Sequence, residues 1–181
     1  MQTTPNQNEQ ARYAFLMLGS QYYSLARYCA NQVYLPVCVT LFHHAIEMLL
    51  KGYLSKSKNL NELKTIGHNL DDLWELFKID FQNNSLSKFD SVVQKLNQVE
   101  DLRYPDLIVN QGFILNIRLG TPTPLILPGT ENLPQYDIDV SALDEIAVTI
   151  FTLGGIPVTP YFKSTPVELQ SSLPNSLHPK Y

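Results

Sequence analysis

Imidazole, carboxylate and amine groups crowd into one stretch of this chain, where His43, His44, Glu47 and Lys51 lie within nine residues. On a helix, His43 and Glu47 are four apart, His44 and Glu47 three apart, and Glu47 and Lys51 four apart, so they form one polar ridge on an otherwise apolar segment. One chemistry for such a ridge is a ligand or phosphate site. Lys51 and the histidines would take the anion, and Glu47 would orient them or act as a base near neutral pH. The other is structural: Glu47 pairs with Lys51 or with a basic group on a neighbouring helix, and the imidazoles satisfy backbone carbonyls. Spacing alone favours the structural reading.

Arg103 follows Val99 by four residues and Leu96 by seven, in line with an inward-facing stripe, and an inward guanidinium must find an acid. Glu47 is the expected partner; the alternative is that Arg103 receives a phosphate from a ligand or RNA. Tyr104 beside it joins the ligand-binding candidates. So does His68, which precedes the capping residue Asn69 and can either donate to an anion at a helix N-terminus or pack the turn. Tyr13, Tyr22, Tyr23, Tyr28, Tyr34 and Tyr53 offer a base-stacking face, or core and dimer interface.

A two-metal carboxylate site needs several Glu-x-x-His elements, and this chain has the reversed His44-x-x-Glu47 plus His68, so no metal is expected. No phosphate-cradling glycine loop, nucleophile elbow or dinucleotide fingerprint occurs, and no cofactor is expected. Cys29 and Cys38 are isolated thiols without metal-ligand spacing, which suits a reducing cytoplasm.

Helices must position these groups. Phe15, Leu18, Tyr22, Leu25 and Cys29 recur at helical steps and predict a first helix over 9–33 with that stripe buried. Pro36 suits the first turn of a second, central helix running through Leu54. A polar stretch from Lys56 to Gly67 predicts a short turn, after which Asn69 caps a helix that buries Leu70, Leu73, Trp74 and Phe77. Leu86, Phe89, Val93 and Leu96 mark a fourth helix ending near Pro105.

Ten of the 12 prolines lie at or beyond Pro105, and Phe113 to Leu119 alternates like a strand, so 107–139 is expected to be an extended, Pro-rich insertion. A last helix over 141–154 is capped by Ser141 and stops at Gly154 and Gly155, and 156–181 reads as a wrapped or loose tail. The fold class is mainly all-α: one domain over 1–181, with a four-helix core over 8–106 and a further helix beyond the insertion.

With 181 residues, 44% hydrophobic, the chain can bury a sizeable core without disulfides. Its net charge of −4 gives no global attraction to a polyanion. The polar start MQTTPNQNEQ reads as neither a signal peptide nor an anchor, and no membrane association is expected.

Leu41-Phe42-His43-His44-Ala45-Ile46-Glu47-Met48-Leu49-Leu50-Lys51-Gly52-Tyr53-Leu54, followed by Gly67-His68-Asn69-Leu70-Asp71-Asp72-Leu73, resembles the HEPN family (higher eukaryotes and prokaryotes nucleotide-binding). The family shows an E-x-x-L-K-x-x-L segment with His or Ala ahead of it, then a [GT]-H-x-L-x-x-L loop opening the next helix. Arg103-Tyr104-Pro105 resembles its R-Y-P stretch, and the likeness covers roughly 8–106.

The resemblance implies an up-and-down helical bundle, frequently a homodimer. Members are ribonucleases, partners of nucleotidyltransferases, or non-catalytic RNA or nucleotide binders, some in toxin-antitoxin or defence settings. Ribonuclease members share R-x(4-6)-H, whose Arg and His stabilise phosphate charge and move a proton. Arg12, Arg27, Arg103 and Arg118 all lack a histidine at that spacing. The departure favours a non-catalytic module binding RNA, a nucleotide or a protein partner. The alternative is a metal-independent endoribonuclease with a divergent site drawn from Arg103, His43, His44, Glu47 and His68. A third reading is an interaction protein that uses the Pro-rich segment.

Overall fold

In the computed structural model, residues 7–81, 84–120 and 128–179 are described. The order is α1 (Gln7–Asn31), α2 (Val37–Leu54), α3 (Leu60–Ile66), α4 (Leu70–Phe81), a 3-10 turn (Asn84–Phe89), α5 (Asp90–Gln98) and a 3-10 turn (Val99–Arg103). Then follow α6 (Asp106–Asn110), β1 (Ile114–Arg118), β2 (Gln135–Asp139), α7 (Val140–Leu153), α8 (Thr159–Phe162), α9 (Val167–Gln170) and a 3-10 turn (Asn175–Leu177). The protein is mainly helical, as the apolar spacing predicts; among the described residues its only sheet is the parallel pair β1 and β2, in register from Ile114–Gln135 to Arg118–Asp139.

The central helix is α2. Cys38, Val39, Phe42, Ala45, Ile46, Leu49, Leu50 and Leu54 are all buried, because α1, α4, the 3-10 turn before Tyr104 and α7 pack around it. The predicted stripes of α4 and of the α5 region are buried as expected: Leu70, Leu73, Trp74 and Phe77, then Leu86, Phe89, Val93 and Leu96. Asn69 caps α4, its Oδ1 accepting from the Asp71 and Asp72 amides at 3.0 and 3.4 Å.

Helix α1 is rotated from the predicted register. Its buried line is Leu16, Tyr23, Ala26, Cys29 and Ala30 with Gly19 and Ser20, whereas Leu18 and Leu25 are exposed. The cause is close approach. A Cβ at Gly19 would lie 2.9 Å from Leu49 Cδ2, and one at Gly52 would lie 2.7 Å from Leu16, so the helices meet along glycines rather than along the larger apolar side chains.

Three further expectations are corrected. The polar stretch after α2 holds a helix, α3, whose cap Asn59 and Glu62 form a reciprocal capping box. The cap of α7 is Asp139, accepting from the Ala142 amide at 3.2 Å, not Ser141. The 107–139 segment begins inside helix α6 and contributes both strands, while 121–127, with Pro122 and Pro124, lies outside the described residues. The stretch after Gly155 wraps rather than hangs free, burying Phe162, Leu173 and Leu177. No helix among the described residues is long and apolar enough to cross a membrane.

Candidate functional site around Glu47, His44 and Arg103

Glu47 has its carboxylate wholly enclosed, because the face of α2 that carries it is covered by neighbouring elements. A charge there must be neutralised. Lys51, one turn on, donates to Oε1 at 2.7 Å, and His68 Nδ1 lies 3.0 and 3.1 Å from the two oxygens. An ionised carboxylate only accepts, so the His68 hydrogen sits on Nδ1. Burial by itself would raise the Glu47 carboxyl, but the hydrogen bonds from Lys51 and His68 outweigh it and hold it below the ordinary value. The polar ridge therefore exists, with Lys51 buried and His68 reaching the same acid from the α3–α4 junction.

The outer edge of the ridge is different. Arg103 Nη2 lies 2.7 Å from His44 Nε2 and 3.3 Å from His44 Nδ1. An atom in line with one ring nitrogen's lone pair would be far from the other nitrogen, so the guanidinium sits over the face of the imidazole. His44 Nδ1 points towards Glu47 Oε2 at 3.6 Å, and Tyr22 flanks the ring at 5.6 Å between centroids. Burial, then the Arg103 charge, lowers the His44 pKa, so the ring is neutral at pH 7. Side-chain exposure runs from 0% at Glu47 to 25% at His44, 23% at Arg103 and 56% at His68, so this edge is reachable from solvent.

Arg103 does not pair with Glu47 as its position in the stripe suggests. Its acid is Glu100, at 2.7 Å on the same 3-10 turn, and His44 stands beside both Arg103 and Glu47. The turn rotates Arg103 to the rim, away from the inward line of Leu96, Val99 and Leu102. Glu100 was legible only through its three-residue spacing to Arg103. His43 is buried at 1% exposure, and neither ring nitrogen has a hydrogen-bond partner among the described residues, so the expected carbonyl contacts are not made. Burial lowers its pKa to about 4, with Glu47 partly opposing the shift. Tyr104 is exposed.

An anion at the N-terminus of α4 finds no open donors there. The Leu70 amide donates to Asn97 Oδ1 at 3.0 Å, and Asn69 takes the next two amides. The donor atoms of His43, His44 and Glu47 do lie within 4.8 Å of one another. But Lys51 holds a Glu47 oxygen and Arg103 covers the His44 ring. A dication would meet both cations, each unit-charge repulsion costing on the order of 4 kcal/mol at about 4 Å in partly buried surroundings. The set suits an anion at its rim better than a metal at its centre. The chain matches no family model, no curated protein and no solved structure.

Proposed function

We propose that this chain is a non-catalytic, HEPN-like helical module that binds a phosphate group of RNA or of a nucleotide at the Arg103–His44 edge. The observation that carries the reading is the guanidinium lying over a neutral, quarter-exposed imidazole, above an acid already neutralised by Lys51. Glu100 is half-exposed and holds Arg103 by a surface ion pair, which is worth little and is readily exchanged for a phosphate. The exposed apolar residues Leu18 and Leu25 on α1 supply a face for the homodimer that the resemblance implies. A nucleotidyltransferase partner and a toxin-antitoxin role rest on that resemblance alone. Fluorescence anisotropy with labelled RNA tests the phosphate site. Arg103→Gln is expected to weaken binding about tenfold or more, the scale of one charge-assisted contact; unchanged binding would remove this site from consideration.

One observation favours a second reading, metal-independent RNA cleavage. Arg103 and His44 meet in space although no R-x(4-6)-H spacing joins them in sequence, and Glu47 stands behind the imidazole. Cleavage of structured RNA in EDTA, lost in both Arg103→Ala and His44→Ala, would establish the enzyme; intact RNA leaves the binding module.

A further inference from the structure

Arg103 lines a second feature. A groove of about 260 Å³ runs beside it, walled by Pro36, Val37, Thr40, Leu41 and Leu102. The lining side chains are apolar apart from the Thr40 hydroxyl and the Arg103 guanidinium, which also covers His44 and carries Glu100 on its outer side. Tyr104, next in sequence to Arg103, and Tyr34, two residues before Pro36, are exposed aromatics at 68% and 62%. We infer that the groove holds one unpaired nucleobase whose own phosphate rests on Arg103, an assignment that rests on the phosphate reading above. The argument is one of complementarity. A flat apolar ring suits an open apolar groove, and a tethered anion suits the Arg103 cation that lines it. The volume lies below that of ordinary drug-sized pockets, which suits a single ring system. A base enters only when splayed out of a helix, so single strands and free nucleotides are ligands and duplexes are not. With one hydroxyl to read the base edge, discrimination among bases is weak.

The test compares adenosine 5′-monophosphate, ribose 5-phosphate, a short single-stranded RNA and the same RNA as a duplex, by calorimetric titration. The monophosphate is expected to bind about tenfold tighter than ribose 5-phosphate, the scale of one buried base. Thr40→Phe, which fills the groove, should erase that advantage and leave ribose 5-phosphate binding unchanged, while Arg103→Gln weakens both. The thermal unfolding of Thr40→Phe is recorded to show that it folds. Equal binding of monophosphate and ribose 5-phosphate, or duplex bound as tightly as single strand, overturns the base slot and leaves the phosphate site standing. If none of the four binds, the phosphate reading falls and the slot with it. Single-strand binding much tighter than that of the monophosphate identifies a strand, rather than a free nucleotide, as the source of the base.

Discussion

At the scale of single residues, the centre of this protein is a buried charge held by neighbours, and two changes expose how it is held. Glu47→Gln keeps the shape but leaves the Lys51 ammonium, only 6% exposed, without its countercharge. Breaking a buried pair from one side costs about 3 kcal/mol, so urea titration should show the midpoint falling sharply; an unchanged midpoint would mean that Lys51 escapes to water. His43 makes the opposite case. Its imidazole titrates at 6.5 when unperturbed and at about 4 in the fold. Between those values the unfolded chain holds more protons, so its contribution is complete above pH 6.5 and is lost as pH falls towards 4. Burial is the main cause, with Arg103 and His44 reinforcing it and Glu47 opposing it. The loss amounts to about 3 kcal/mol. His43→Leu removes the titrating group, so stability measured from pH 7 to pH 4 should flatten in the variant; equal slopes in both proteins would assign the acid sensitivity elsewhere. The Glu47 carboxyl, held low by Lys51 and His68, adds its own loss only below its ordinary range, which separates the two windows.

At the scale of elements, the α1–α2 contact shows both what a sequence discloses and what it hides. The central helix, the Asn69 cap and the stripes of α4 and α5 were legible because apolar period and cap chemistry point the same way. The rotation of α1 was not, since a helix that buries glycines, alanines and serines beside Leu16 and Tyr23 turns Leu18 and Leu25 outward, and period alone cannot rank two apolar faces. The same limit hid the site: the ridge on α2 follows from spacing, but the approach of Arg103 to His44 needs two segments 59 residues apart. Gly52 tests the packing directly. Alanine is the better helix former by about 1 kcal/mol, yet its Cβ would lie 2.7 Å from Leu16. Overpacking of about 1–3 kcal/mol should win, so Gly52→Ala is expected to lower Tm by several degrees. A rise in Tm would show that α1 moves away freely.

At the scale of the whole molecule, the C-terminal stretch belongs to the core rather than decorating it. Arg27 on α1 donates to the Ser172 carbonyl at 2.8 Å and lies 3.4 Å from Asp144 on α7, and Tyr23 donates to that same Asp144. The Ser24 and Thr165 hydroxyls sit 3.5 Å apart in the same buried seam. Thus one face of α1 is closed by α7 and by residues beyond 160, while α2 closes another and carries the site. A chain ending at Gly155 would lose the burial of Phe162, Leu173 and Leu177, at about 1.5–3 kcal/mol each. It would also strand Arg27 with fewer partners. That loss matches the whole stability of an ordinary domain, about 5–15 kcal/mol, so the truncated chain is expected to show no cooperative unfolding transition by circular dichroism and to lose with it the RNA binding proposed for the Arg103–His44 edge. A truncated protein that still melts cooperatively and still binds would make residues 156–179 an appendage, and the site a property of the first 155 residues alone.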